Sequence, residues 1–424
     1  MGTVRVRGVK QVVQVRLVAD AAQLDALTRT LTACNDTANL VSAIAHRERT
    51  FRGRDLRAIS YVKARAHAGL GAQVAQACIR KVADAYTTLR ANVRNGRYGA
   101  PGSPRRRKAQ ADPIRFRPLA AQPFDDRCLS WRHDTDTGGS VSIWTVDGRL
   151  KNLRFTGEAG QIAMLRQYRS GETDLVIRRH RRGPEPIVAY LVATIDLPEP
   201  PVRTGTHLDS AAGWIGVDLG IENIAVTSDR TLARELMSTY GAGAPDGPAG
   251  RGSVKDRRTR NRELRQKLQA KNTKSAKRLL RRRARAEARF AADVNHQISK
   301  RIVAEAERTG RGIAVEELTG IRERVRLRKP QRATHTSWAF AQLGVFLTYK
   351  AARAGVPIIA VDPAYTSQRC TTCGHIDKRN RTSQARFVCR DCGYTAEHAD
   401  ILGADNIAHR APTTWAQSTV PSAA

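Results

Sequence analysis

The sequence predicts a multidomain α/β protein built in two halves, and three observations carry that prediction. A strand pattern at Val9–Leu17 is followed by about ninety residues of helical spacing and then by a return to period-two alternation from Ile114 to Leu197. A second half opens on the apolar strand Trp214–Leu219 and continues as helices and strands in turn. Two Cys-x-x-Cys pairs interrupt that second half near its end. At 424 residues and 41% hydrophobic content, the chain has material for roughly two to four domains with real cores.

In chain order, Val9–Leu17 alternates as a strand, and Ala21–His46 sets Leu24, Leu27, Leu31, Cys34 and Ala38 at helical spacing. Leu56–Ala66 and Ala72–Val93 repeat the helical pattern, the latter with Val74, Ala77, Cys78, Val82, Ala85 and Leu89 on one stripe. Gly96–Gln110, rich in Gly, Pro and Arg, reads as an exposed connection. Strands then follow near Ser140–Val146, Leu150–Phe155, Asp174–Arg179 and Ile187–Ile195, forming a barrel-like β unit into which the helices are inserted. Pro198, Pro200 and Pro201 close this half.

The strands Trp214–Leu219 and Ile224–Thr227 are spaced as a hairpin. Beyond a Gly-rich loop through Gly252, Arg257–Glu307 forms a very basic helical pair broken near Asn272–Ser275, with Leu264, Leu268, Leu279, Phe290, Val294, Ile298 and Ile302 facing inward. A strand at Gly312–Val315, a helix at Ser337–Ala354, a strand at Pro357–Val361, the cysteine cluster and a short helix from Asp400 complete the order. No tandem repeat is visible at solenoid periods.

Lys and Arg number 73 against 39 Asp and Glu, a formal charge of +34 spread through every third of the chain. Such a charge repels itself unless an anionic polymer neutralises it, so the expected partner is nucleic acid rather than a membrane surface. No run of about eighteen apolar residues occurs, and Met1–Arg16 alternates charge with Val instead of presenting a signal core. A soluble, cytoplasmic protein is expected, associated with the nucleoid when bound to DNA. Cys34, Cys78 and Cys128 are isolated and read as small buried hydrophobes.

Cys370 and Cys373, a gap of fifteen residues, then Cys389 and Cys392 match the spacing of a closed, structural four-thiolate zinc site. Gly374 and Gly393 follow each pair where a positive φ is often needed. Two disulfides or four free thiols are the alternatives, and a reducing compartment disfavours the first.

Asp218 ends the strand Ile215-Gly-Val-Asp, and Glu316 ends Gly312–Val315. A carboxylate at the inner edge of a buried strand must be paired, hydrogen-bonded or metal-bound, although each acid alone also fits a cap or a solvated end. Two divalent cations about 3.5–4 Å apart need a further acid. Asp400, in Glu397-His-Ala-Asp-Ile-Leu-Gly-Ala-Asp-Asn-Ile407, is the candidate, with Asp405 a rival one turn on.

The succession Gly-Val-Asp218-Leu-Gly, Val-Glu316-Glu-Leu, Asp362-Pro-Ala-Tyr-Thr-Ser-Gln368, the two Cys-x-x-Cys-Gly knuckles and Asp400-x-x-x-Ala-x-Asn-Ile resembles the RuvC and zinc-ribbon half of the TnpB transposon-encoded nucleases and the compact type V CRISPR effectors. The resemblance is specific over Ala211–Arg410 and rests on element order before that. It implies an RNase H-like RuvC nuclease domain with an inserted zinc ribbon, preceded by a β-barrel wedge domain with a helical recognition insertion. The corresponding boundaries are a wedge strand at 1–19, a recognition module at 20–108, the wedge barrel at 109–205, RuvC at 206–368, the ribbon at 369–395, the last RuvC motif at 396–412 and a flexible tail at 413–424. Asp218, Glu316 and Asp400 match the family's acids for two magnesium or manganese ions, and the four cysteines match its zinc ligands. Leu402 and Gly403 stand where the family has Asn and Ala.

What the resemblance implies is an RNA-guided DNA endonuclease acting on double-stranded DNA beside a short recognised motif, as a monomer or as a homodimer on one guide RNA. A guided DNA-binding repressor without cleavage, and a guide-free zinc-ribbon nucleic-acid-binding protein, are the alternative readings. Arg257, Arg258, Arg278, Arg281, Arg282, Arg283 and Arg285 on the basic helices are candidate backbone contacts, a solvated charged face being the bland reading. Arg7, Arg47, Arg52, Arg54 and Lys63 are candidates for reading the adjacent DNA motif.

Overall fold

The computed structural model describes residues 9–179, 187–198, 200–220, 222–242, 244, 253–317, 339–383 and 385–419. Arg7, most of the Gly-rich stretch up to Gly252 and Ser337 lie outside them. The chain divides into two compact units, the first ending at Pro198. Among the described residues no helix is long and apolar enough to cross a membrane.

The first unit holds a seven-stranded sheet in the order β2-β6-β7-β1-β5-β4-β3. Its strands are β1 (Val9–Val18), β2 (Gln122–Phe124), β3 (Leu129–Thr135), β4 (Gly138–Thr145), β5 (Gly148–Thr156), β6 (Thr173–Arg179) and β7 (Ile187–Leu197). Helices α1 (Ala21–Arg47), α2 (Gly53–His67), α3 (Ala72–Arg94) and α4 (Pro104–Ala111) intervene between β1 and β2, so they are an insertion in the sheet. The start of α1 is fixed by Asp20 and Gln23, which form a reciprocal capping box. Val13, Val15 and Leu17 alternate into the core and meet Leu27, Leu31, Cys34 and Cys78 there, and Cys128 is buried against the same cluster.

The expected barrel closure has no hydrogen-bonded ladder among the described residues, yet topology forces the curl. Edge strands β2 and β3 are joined by residues 125–128 alone. Five Cα steps reach at most about 18 Å, whereas six strand spacings of a flat sheet span about 29 Å. The sheet must therefore bend until its edges approach at that corner.

Four elements of this unit differ from the sequence expectation. The connection Gly96–Gln110 contains α4, capped by Ser103 with Pro104 at its first position, and it buries no residue. With no apolar stripe, periodicity has nothing to register. Strands β2 and β3 and helix α5 (Ala159–Tyr168) are likewise too short or too mixed to stand out, although Glu158 caps α5 through two backbone amides.

In the second unit β8 (Trp214–Asp218), β9 (Val226–Thr227), β10 (Gly312–Glu316) and β11 (Ile358–Val361) form a sheet of order β11-β10-β8-β9. β8, β10 and β11 are parallel, and β9 runs antiparallel to β8 as the hairpin spacing predicts. One face carries Ile215, Val217 and Ile313 against the long helix α8 (Lys274–Thr309), α6 (Arg230–Tyr240) and α9 (Phe340–Ala354). Helix α7 (Val254–Lys271) precedes α8 and breaks from it at Asn272, whose positive φ of 47° ends the helix.

The other face carries Trp214 and Ala314 against Ile407, Ala408 and Ala411 of α10 (Ala399–Thr419). This last helix is longer than the sequence suggests and runs through Pro412 to Thr419, so the first residues of the expected flexible tail are helical instead. Trp415 beyond the proline packs edge-on to Trp214 at 5.6 Å, which holds the final turns down. A small ribbon with β12 (Phe387–Val388) and β13 (Thr395–Ala396) stands between β11 and α10.

The seating of α10 is close. A Cβ on Gly216 of β8 would lie 2.0 Å from the Ala404 carbonyl oxygen and 2.7 Å from the Ala408 nitrogen, both backbone atoms that cannot turn aside. Gly216→Ala is therefore expected to destabilise this unit by about 1–3 kcal/mol or more. Denaturant unfolding measures it, and a change below about 0.5 kcal/mol, the range of an ordinary surface substitution, would show that helix and strand are not in this contact.

Candidate active site

Period-two alternation decides where the acids point. Trp214, Gly216 and Asp218 share the face of β8 that α10 covers, and Ala314 and Glu316 share the same face of β10. The register Val315↔Val217 makes Glu316 and Asp218 the next residues on adjacent parallel strands. Asp400 lies in the first turn of α10, which packs on β8. Three acids distant in the sequence thus meet at one end of the sheet.

Glu316 and Asp400 are each oriented by neighbours. Glu316 Oε1 accepts a 2.9 Å hydrogen bond from the Thr366 hydroxyl. Asp400 is 4% exposed, with Oδ2 accepting 2.9 Å from the Asn223 amide and Oδ1 paired to the Arg381 guanidinium. Thr366 is itself held, because Asn406 of α10 donates to the carbonyls of Thr366 and Arg369 at 2.8 Å each. Arg410, one turn on, donates to the Asp362 and Ala364 carbonyls. The segment Asp362–Gln368 is thus a loop that α10 fastens so that it can hold Glu316.

Burial pushes the Asp218 carboxyl well above the usual carboxylate range, and the Glu316 and Asp400 charges push it further, against the Arg381 guanidinium and the Leu219 amide. Burial also raises Glu316, while the Thr366 hydroxyl and the Arg410 charge oppose it. Crowded carboxylates with too little compensating positive charge hold protons that a divalent cation can displace. The three acids have the chemistry of such a site.

Asp405 is settled differently: both its oxygens pair with Arg230 of α6, at 2.9 and 2.8 Å, away from the cluster. Gly403 acquires a reason, since a Cβ there would lie 3.0 Å from Asp218 Oδ2. Leu402 is buried with Cys370, Phe387 and Cys389, so it joins α10 to the ribbon core.

The ribbon brings its four thiols together, all Sγ atoms within 4.8 Å of one another. Cys370 and Cys392 are 3.7 Å apart and Cys373 and Cys389 3.5 Å, close to the edge of about 3.8 Å that a tetrahedron of 2.3 Å zinc–sulfur bonds requires. Gly374 and Gly393 have φ of 77° and 72°. Each knuckle is closed alike, with the Cys370 amide donating to His375 and the Cys389 amide to Tyr394. The cluster could hold a metal such as zinc. Buried Asn380 links the knuckles by accepting from the Arg390 amide and donating to the Gln368 carbonyl. The next residue is Arg381, which the sequence reading passes over because it sits in a basic run that looks solvated.

The seven arginines of the basic helices separate into two groups. Arg278, Arg281, Arg282 and Arg285 are exposed. Arg257 lies 3.7 Å over the Phe290 ring, Arg283 donates to Asn261, and Arg258 is half-buried, so these three also tie α7 to its surroundings.

Residues 340–407 match a family model described as Cas12f1-like, TNB domain. Over 122 residues the chain is 45% identical to the CRISPR-associated endodeoxyribonuclease Cas12f1 of Sulfoacidibacillus thermotolerans, covering 28% of this chain and 27% of that protein. It is 31% identical over 150 residues to the TnpB-like protein MJ0751 of Methanocaldococcus jannaschii, covering 35% of this chain and 53% of the other. The matches thus span about a quarter and about half of these relatives. In fold, 95% of the chain superposes on 99% of a Cas12f1 chain solved by cryo-EM with sgRNA and target DNA, at a TM-score of 0.55 and 12% identity. Over these stretches the chain is similar to Cas12f1 and to TnpB-like proteins, and its fold is of the mixed α/β kind seen in the solved Cas12f1 chain.

The raised Asp218 carboxyl has a consequence for stability. Its proton is bound more tightly in the folded than in the unfolded chain, so the stability it contributes is present in acid and is lost as pH rises through the raised folded value. Asp218→Asn is neutral throughout, so in chelator at mildly alkaline pH it should melt higher than the native chain, by on the order of a few °C. Thermal melts across pH check this: the gain should shrink toward acid, and a variant that melts lower at every pH would contradict a charge-strained cluster.

Proposed function

We propose that the chain is an RNA-guided DNA endonuclease whose cutting site is the cluster of Asp218, Glu316 and Asp400. The observation that carries the proposal is that buried Asp400 and half-buried Glu316, each held by a neighbour, are brought to the same end of the sheet as half-buried Asp218, beside one guanidinium. Groups so placed serve metal binding better than stability, which the mutual repulsion lowers. In this reading the three acids hold two magnesium or manganese ions. When bound, such ions lower the pKa of a water nucleophile and stabilise the charge that develops on a phosphodiester.

The chain's own groups have distinct tasks in this scheme. Thr366 and Asn223 aim the Glu316 and Asp400 oxygens. Arg381, pinned to Asp400 and only partly exposed, stands where a phosphate entering the cluster would meet a guanidinium, so it clamps the non-bridging oxygens. The ribbon, whose four thiolates would hold zinc, fixes the position from which Arg381 reaches. The nuclease domain is then 206–368 with 396–412, the ribbon 369–395, the barrel wedge 1–19 with 109–205, and the recognition module 20–108. The exposed arginines of α8 neutralise the backbone of guide RNA or its heteroduplex with target DNA, while base pairing supplies sequence selection. One copy, or two on one guide, would form the working particle.

Sequencing RNA that copurifies with the protein and then offering a matched plasmid tests the reading. The native chain should carry a defined RNA and cut only with magnesium or manganese present. Asp218→Ala, Glu316→Ala and Asp400→Ala should each abolish cutting and retain the RNA, and Arg381→Ala should slow cutting by about a hundredfold with guide binding unchanged. Target binding without cutting by the native chain would assign it instead as a guided repressor.

A further inference from the structure

We infer that the inserted helical module carries a pocket for one unpaired nucleotide, base and phosphate together, of a bound RNA or DNA. The inference deepens the guided-nuclease reading by assigning the module a specific ligand, and it rests on that reading only for the source of the nucleic acid. A cavity of about 610 Å³ opens between the end of α1 and the turn after it, α3 and α4. That size falls within the range of small-molecule sites. Its wall pairs aromatic rings with positive charge.

Phe51 lies 4.6 Å from Tyr86, and Arg90 stands over the Phe51 ring at 5.4 Å. A ring-backed guanidinium is a surface on which a nucleobase stacks. Tyr86 is buried and its hydroxyl bonds to Ser42 and the Ile114 amide, so that ring is a fixed floor. Arg49, Arg94 and Arg106 line the same cavity with His46, and Asp112 is its one lining acid. Among the described residues none of Arg49, Arg90, Arg94 and Arg106 is in an ion pair. Four guanidiniums against one carboxylate around one cavity favour an anion, and the stacking surface favours a base joined to it.

Arg49 supplies an independent sign. It follows the end of α1 with φ 51°, and the Thr50 amide closes back on the Ala45 carbonyl at 3.0 Å. That is a helix-ending geometry in which glycine is favoured and a branched residue is strained. Arg49 thus places a side chain on the charged cavity from a backbone position that glycine fills at lower cost.

The test uses the full chain in chelator, so that cleavage plays no part. The probes are a short RNA duplex and a short DNA duplex, each with a single 2-aminopurine bulge, and their fully paired counterparts of equal charge. The bulged form of at least one should bind roughly tenfold more tightly than its paired counterpart, with 2-aminopurine fluorescence changing on stacking, and the tighter arm identifies the source. Arg49→Gly and Phe51→Ala should each reduce that preference to near one, and Arg49→Gly should do so with an unchanged or higher Tm. Equal binding of bulged and paired probes by the native chain, or a preference that survives both substitutions, overturns the pocket and leaves the nuclease reading standing. Failure to bind any of the four probes overturns both.

Discussion

The second unit depends on one close contact, the laying of α10 on β8 with no side chain between them at Gly216. Because the Ala404 carbonyl takes the space a Cβ would fill, the first turn of α10 is carried to the end of the strand, where Asp218 emerges. Gly403 repeats the device one residue earlier on the helix, leaving room for the Asp218 carboxylate itself. The apolar contacts of Trp214, Ile407, Ala408 and Ala411 hold this arrangement against the repulsion of three neighbouring acids. Apolar packing of this kind contributes a few kcal/mol per large side chain, enough to hold like charges together where no single polar contact would suffice.

From that contact the rest of the site follows in two directions. Through Asn406 and Arg410 the same helix grips the carbonyls of the loop after β11, and the loop returns Thr366 to Glu316. Through Leu402 it enters the core of the ribbon, where Asn380 ties the two knuckles and Arg381 reaches back to Asp400. The ribbon is therefore joined to the acid cluster by an apolar contact and an ion pair. A metal there would act on the cluster through geometry, by fixing where one guanidinium can go.

Much of the architecture is legible in the sequence because its signals are local. The apolar strands of the second unit, the helical stripes of α1 and α3, the break at Asn272 and the two knuckles each declare themselves within a dozen residues. The acids at 218 and 316 are legible for the same reason, as charges at the ends of runs that should be buried. What escapes is long-range. Nothing near Asp405 tells that Arg230 holds it, 175 positions away in the chain. Arg381 hides in a basic run, and Gly403, which reads as a departure from a family pattern, is explained only by the oxygen opposite it. Helix α4 escapes because it has no apolar stripe, and α6 because its stripe of Leu232, Leu236 and Tyr240 runs straight into the Gly-rich stretch, although Asp229 and Ser103 cap the two helices in the expected way.

The most direct measurement of the central claim is the binding of manganese to the full chain, followed by electron paramagnetic resonance in the native form and in chains with each acid replaced by its amide. The account requires two ions close enough to couple magnetically, and loss of that coupled signal on replacing any one of residues 218, 316 and 400. A native chain that binds no manganese, or one whose coupled signal survives all three replacements, would show that the acids meet for some other purpose.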